Sequence, residues 1–244
     1  MARIFITGSA DGLGQFSAKL LLEQGHVVVL HARNAERERE ALKKNPGAET
    51  VLTGDLSNID ETKSLGEEIN KLGGFDAVIH NAGVYQTSAK QIFAVNTLAP
   101  YILTALIQKP KRLIYLSSDM HLQGHFKPGN FKSDTSRITY SDSKLHVLML
   151  CKAVARKWPE VYANAVDPGW VPTKMGGRGA PDDLAKGYAT QAWLATSNDE
   201  KAKVSGRYFF HQKVRRHNPD ADDVELQERF LDLCKEMTGV PFPQ

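Results

Sequence analysis

The sequence predicts one doubly wound α/β domain, a seven-stranded parallel sheet with helices on both faces. Short β-branched runs alternate with helical patterns along the chain, the signature of a parallel sheet covered on both sides. A glycine-rich turn follows the first of these runs directly, as it does at the opening of a βαβ unit. The 244 residues, 41% apolar and 24% charged, suit one large core, and no linker or low-complexity segment divides them.

The strand candidates are 4–7, 27–31, 50–54, 77–80, 113–117, 162–166 and 206–210, and helices fall near 13–24, 60–72, 88–108, 140–157, 181–196 and 222–237. The strand-to-helix steps are short, which fits right-handed crossovers. Residues 1–244 read as one unit, with 170–200 and 211–244 as substrate-side lid and C-terminal segments. The Pro/Gly-rich stretch 168–181 lies between a strand and a helix, where a loop of that length serves as a lid or binding segment.

A net charge of +3, from 31 basic and 28 acidic residues, is too small and scattered for a nucleic-acid partner. Cys151 and Cys234 lie far apart without metal-type spacing, so each is read as a small buried hydrophobe. No disulfide framework is expected, which makes a reducing cytoplasm the default location. No basic region leads into an apolar stretch, so no signal peptide is expected. The longest apolar runs, such as 27–30, are of strand length and predict no membrane span.

The first motif that carries chemistry is Gly8, Asp11, Gly12, Leu13, Gly14, spaced G-x-x-x-G-x-G between a strand and a helix. Glycine lets backbone approach a pyrophosphate, and the helix N-terminus offers free N–H groups and a positive dipole end. The arrangement is that of a Rossmann-type dinucleotide site. An NAD site wants a carboxylate at the end of the second strand, but here His31-Ala32-Arg33-Asn34 follows 27–30, with no carboxylate until Glu36. Arg33 would instead pair with a 2′-phosphate, so NADP(H) is preferred over NAD(H). Asp11 counts mildly against this, being an acid near a phosphate.

The strongest signal is Tyr140-Ser141-Asp142-Ser143-Lys144. Residues four apart share a helix face, so the phenol and the ammonium act together, and a nearby cation favours the phenolate. In this order the motifs resemble the short-chain dehydrogenase/reductase family over essentially the whole chain. The C-terminal pattern Ser205-Gly206-Arg207-Tyr208-Phe209 is similar to its retinol-dehydrogenase-like members.

The resemblance implies further roles. Asp55 and Leu56 would contact adenine. Asn81, Ala82 and Gly83 match a family segment in which His80 replaces a first Asn. Pro168, Gly169, Val171 and Thr173 match the loop that contacts the nicotinamide carboxamide. Asn96, Ser118, Tyr140 and Lys144 match the catalytic set. Tyr140 would exchange a proton with the substrate oxygen while Ser118 holds that oxygen. Lys144 would lower the Tyr140 pKa and bind the nicotinamide ribose, and Asn96 would hold a water linking Lys144 to solvent. The implied activity is interconversion of a small-molecule carbonyl, fairly lipophilic, with its alcohol. Ser118, His121, Trp170 and Met175 are the substrate-side candidates, and homodimer or homotetramer pairing through 88–108 and 140–157 stays open.

Tyr140 follows Ser118 by 22 positions, longer than the family's usual gap, so 120–139 reads as an insertion shaping the pocket mouth. His121 and His125 stand four apart without a third ligand, and no metal is expected. The basic run 211–217 reads as a solvated face and Trp193 as core. An alternative from another class is a catalytically silent NADP(H)-binding regulator or redox sensor on the same fold; such a protein typically loses the Tyr–Lys pair or the Ser, and this chain keeps all three.

Overall fold

A computed structural model of the chain describes residues 1–133 and 135–243, so Asp134 and Gln244 lie outside it, as do the side chains of Asn130, Lys132 and Ser133. The strands are β1 (Arg3–Ile6), β2 (Val27–Ala32), β3 (Thr50–Thr53), β4 (Ala77–His80), β5 (Arg112–Leu116), β6 (Tyr162–Asp167), β7 (Arg207–Phe210) and β8 (Lys213–Val214). They form one sheet in the order β3-β2-β1-β4-β5-β6-β7-β8, and all neighbours are parallel except β7 and β8. The chain therefore reverses direction across the sheet between β3 and β4, the kind of switch point beside which open α/β sheets bind ligands.

The eighth strand exceeds the expected seven. Phe210 pairs with Lys213 through a two-residue turn in which His211 and Gln212 both have positive φ, at 45° and 62°. That turn geometry matches the strand twist and usually advertises itself with Asn-Gly, a signal absent here.

Side-chain alternation along each strand splits the core in two. Phe5, Val29, Val78, Leu113, Tyr115, Ala163 and Ala165 pack on one face, with α3 (Ile59–Lys71), α5 (Ala99–Leu106), α7 (Tyr140–Lys157) and α9 (Val224–Thr238). Ile4, Ile6, Val28, Leu30, Ile79, Ile114, Leu116 and Val166 pack on the other, against α1 (Gly12–Glu23), α2 (Ala35–Lys44) and α8 (Leu184–Thr196). Each fully buried Ile, Leu, Val or Phe contributes about 1.5–3 kcal/mol by leaving water. Cys151 and Cys234 are free and buried in the first of these clusters.

Helix α2 escapes a periodicity reading because Ala35–Lys44 is almost wholly charged and buries only Ala41. Its start is set locally, where the Asn34 side chain accepts from the Arg37 N–H. The single helix expected over 88–108 is instead α4 (Ala89–Phe93), one π turn at Ala94–Leu98, and α5. Pro100 lies in the first turn of α5 and has no N–H, and the wider turn precedes it. The insertion contains α6 (Pro128–Ser133) and two short 3₁₀ turns, Asp119–Gln123 and Thr135–Arg137. Its Phe126 and Phe131 are buried edge-on against Phe230 and His146, which ties it to α9 and α7. Among the described residues no helix is long and apolar enough to cross a membrane.

Candidate active site

Four elements converge at the C-terminal ends of β4, β5 and β6. Thr139 caps α7 by accepting from the Asp142 N–H, while Asp142 accepts from the Thr139 N–H, which fixes Tyr140 as the first helical residue. Lys144 lies one turn on, with its Nζ 5.4 Å from the centroid of the Tyr140 ring. That Nζ donates to the Leu116 carbonyl at the end of β5 (2.9 Å), and Ser117 Oγ donates to the Lys144 carbonyl (2.9 Å). The helix is thus bolted to the strand that delivers Ser118.

Asn96 sits in the π turn and is buried. Its Oδ1 accepts from the Val84 N–H (2.8 Å), and its Nδ2 donates to the Val84 carbonyl (3.0 Å) and to Ser143 Oγ (3.0 Å). Ser143 Oγ in turn donates to the Tyr140 carbonyl (2.7 Å). Asn96 therefore cross-links the loop after β4 to the tyrosine-bearing turn. Ser118 ends the strand segment and caps the following 3₁₀ turn; its hydroxyl donates to Asp119 Oδ1 (3.2 Å) and accepts from the Met120 N–H (3.3 Å).

The electrostatics correct one expectation. Burial lowers Lys144 to about 8, against the pull of Asp167, with 5% of the residue exposed. Burial also pushes the Tyr140 phenol up, and Asp167, Tyr85 and Asp119 add to this. Lys144 does not bring Tyr140 down here, because the ammonium is turned to the Leu116 carbonyl and desolvation of the phenolate dominates.

Asp167, Asp119 and Tyr85 went unmarked in the sequence. The Asp167 carboxylate at the end of β6 accepts from the Gly169 N–H (2.8 Å) and the Tyr208 hydroxyl (3.2 Å), and burial raises its pKa. The Tyr85 ring lies 4.7 Å from that of Tyr140, placed there by the Asn96–Val84 pair next to it in sequence. Position after β4 was the only available signal for Tyr85, and a lone aromatic in a loop carries little.

A cleft of about 540 Å³ runs from this group to the ends of β1, β2 and β3. Of the candidate site residues, Gly8, Asp11, Gly12, Leu13, Arg33, Asp55, Leu56, Asn81, Ala82, Gly83, Tyr140, Lys144, Pro168, Thr173 and Met175 line it, together with His31, Arg37 and Lys174. The glycines let this turn pack closely on the loop after β4: a Cβ on Gly8, whose φ is +63°, would lie 2.9 Å from the Ala82 Cα, and one on Gly14 would collide with Asn81. Asn81 braces the glycine turn rather than facing outward, its Nδ2 donating to the carbonyls of Thr7 (2.9 Å) and Gly8 (3.1 Å). His31 locks the same turn from β2. Its Nδ1 accepts from the Gly8 N–H and its Nε2 donates to the Gly54 carbonyl, each at 2.9 Å, and burial lowers it to about 4, so it stands neutral.

Asp11 is not an isolated acid in the cleft, being paired with Arg37 and Lys174. Burial by itself would raise its carboxyl, yet Lys174 and Arg37 together hold it below the ordinary range. Arg37 was missed because it belongs to the unrecognised α2. Asp55 spends Oδ1 on the N–H and hydroxyl of Ser57. Gly169 faces Asp182 and Val171 is buried toward Gly187, so neither lines the cleft. His80 is buried, stacked on Tyr115 and paired with Thr104.

The substrate-side candidates divide. Met175 lines the cleft, and Trp170 is 62% exposed with its indole N–H donating to the Gly176 carbonyl. His121, expected at the pocket mouth, has no exposed surface, because both ring nitrogens are engaged inside the protein. Trp193 packs edge-on against Phe209 in the core, as expected.

A doubly wound sheet with a glycine-turned cleft lined by Tyr140 and Lys144 of one helix is the architecture of a dehydrogenase/reductase class. The short chain dehydrogenase family model matches residues 2–183, and the chain belongs to that family. It is 49% identical to an uncharacterized oxidoreductase of Emericella nidulans, over 100% of this chain and 99% of the relative. Human retinol dehydrogenase 14 is 26% identical over 97% of this chain and 86% of its own length. Among solved structures, an uncharacterized Mycobacterium paratuberculosis protein superposes with a TM-score of 0.85 at 20% identity, covering 100% of this chain and 96% of that one. A Shigella flexneri short chain dehydrogenase complexed with NADP gives 0.68 at 20% identity, with coverages of 87% and 97%. The chain is thus an oxidoreductase acting on small molecules.

Proposed function

We propose that this oxidoreductase uses NADP(H) to interconvert a ketone or aldehyde and its alcohol. The observation that carries the reading is that Tyr140 and Lys144 of one helix line the glycine-turned cleft, with Asn96 tied to the tyrosine turn through Ser143 and with Ser117, next to Ser118, bonded to the Lys144 carbonyl.

Bound NADPH supplies the hydride. The protein does the rest. Ser118 Oγ turns from Asp119 to donate to the substrate oxygen, and the Tyr140 hydroxyl gives that oxygen its proton as negative charge develops. Burial keeps the phenol protonated until an alkoxide-like acceptor arrives, which suits a proton donor. Lys144, lowered to about 8, sits close enough to neutrality to pass protons inward from the Asn96 side.

NADP over NAD is favoured by Arg33 and Arg37 lining the cleft beyond β2, and by the end of that strand carrying Arg33-Asn34 in place of a carboxylate for the ribose hydroxyls. The NADP held by the Shigella flexneri relative points the same way. The exposed apolar side chains of Tyr85, Leu122, Trp170 and Met175 suit a lipophilic substrate.

The test is NADPH oxidation against a panel of aldehydes, ketones, quinones and steroids, with Tyr140→Phe alongside. Turnover that vanishes in the variant supports the reading. NADPH binding without turnover of any member would instead favour a cofactor-binding sensor.

A further inference from the structure

The segment that follows Ser118 is held by the distant C-terminal part of the chain, and one histidine makes the joint. His121 Nδ1 lies 2.5 Å from the Ser118 carbonyl oxygen, an acceptor, so Nδ1 carries the proton. Its Nε2 lies 3.2 Å from the Asn218 backbone N–H, a donor, so Nε2 is bare. The two bonds specify one neutral tautomer of a fully buried ring, whose centroid packs 4.5 Å from that of Tyr208.

Asn218 grips the same turn twice more. Its Nδ2 donates to the carbonyls of His121 (3.3 Å) and Gly124 (3.0 Å), while its Oδ1 accepts from the Asp220 N–H to open the 3₁₀ turn Pro219–Asp222. That turn ends on Asp222, which pairs with His217 (2.7 Å) and with Lys152 of α7 (2.7 Å). Segment 217–222 is therefore a strut with one end on the serine turn and the other on the helix that carries Tyr140 and Lys144.

We propose that His121 is a positioning residue for Ser118, and that His121 and Asn218 together set the separation of the Ser118 hydroxyl from Tyr140. The proposal rests on the reading of Ser118 as the group that holds the substrate oxygen. His121 draws the Ser118 carbonyl inward, which fixes the peptide plane and with it the direction in which Cβ and the hydroxyl leave the backbone. Displacement of a positioned group by about 1 Å can cost about a hundredfold in rate.

Three variants separate positioning from packing. His121→Leu keeps bulk and removes both bonds. His121→Asn places an amide N–H near the Nδ1 site and keeps the bond to Ser118. Asn218→Ala removes the side-chain grip. With NADPH and 9,10-phenanthrenequinone, kcat falls about tenfold or more in His121→Leu and Asn218→Ala, with KM changed less than about threefold, and His121→Asn recovers most of the loss. NADPH affinity, followed by fluorescence, stays level in all three. Amide hydrogen exchange read in parallel becomes faster at residues 118–124 in His121→Leu and Asn218→Ala. Wild-type kcat in His121→Leu, or equal losses in Leu and Asn, overturns the proposal. If the wild-type chain leaves the quinone unreduced, the functional reading fails for that carbonyl, and exchange decides alone: unchanged protection at 118–124 in Asn218→Ala overturns the strut.

Discussion

Arg37 and Asp11 form a 2.5 Å ion pair across the mouth of the cofactor cleft, and Lys174 reaches the same carboxylate oxygen from the opposite loop at 3.1 Å. The acid that would repel a phosphate is neutralised from two sides, and it keeps both cations over the cleft. Arg37 also pairs with Glu40 within α2, so its guanidinium is held ready rather than free in solvent. Arg33→Ala and Arg37→Ala should each weaken NADPH by about tenfold, the value of one lost charge-assisted pair, and NADH by far less. Titration of both variants with both cofactors checks this, and equal losses for the two cofactors would refute a 2′-phosphate role.

Tyr140→Phe should lower turnover by about a hundredfold or more, since proton transfer by a placed side chain contributes about 10²–10⁴-fold. NADPH affinity should hold. Steady-state kinetics beside cofactor titration separates the two effects.

Asn96→Ala removes three hydrogen bonds that join the loop after β4 to the tyrosine turn. The part-buried Val84 N–H loses its partner, at a cost of about 1 kcal/mol. Thermal unfolding should register the loss. Turnover should fall with it, because Tyr85 and the ring it touches, Tyr140, lose their common brace.

Lys144 has a folded pKa of about 8 against an ordinary 10.5. The unfolded chain therefore binds more protons between those values, and stability rises with pH across that window. The contribution is fully present above about 10.5 and is lost as pH falls to 8. Lys144→Met abolishes the titration, so the stability difference between variant and wild type should change between these limits and level off below them. Denaturant unfolding across that range checks it; a constant difference would show that Lys144 is not depressed.

Gly8→Ala should destabilise the chain and weaken NADP(H) together. The residue has φ +63°, and an added Cβ meets the Ala82 backbone at 2.9 Å, so strain of about 1–3 kcal/mol adds to the contact. A melting curve and a cofactor titration on the same sample measure both.

Strands β1 to β7 were legible because each is a short run of β-branched, aromatic or small apolar residues set between helical patterns, and the helices with an apolar stripe followed from their period. Helix α2 was not, since it buries a single alanine and is set by its Asn34 cap. The hairpin to β8 lacked its usual turn residues. In the site, the Gly8–Gly14 turn and the Tyr140–Lys144 spacing were local enough to read directly. His121 misled, because a histidine in a polar insertion looks exposed until the strut at Asn218 is seen to cover it.

The sequence by itself determined the sheet-and-helix alternation, the nucleotide turn and the tyrosine–lysine pair. These depend on periodicities and spacings within a few residues, which one stretch of chain carries alone. Only the tertiary structure decided that Arg37 and Lys174 pair with Asp11, that the Asp167 charge acts on the Tyr140 phenol, that burial raises rather than lowers the phenol pKa, and that His121 joins the Ser118 carbonyl to Asn218. Each of those is a sum of desolvation and contacts between residues tens of positions apart, and such sums exist only once the chain has closed on itself.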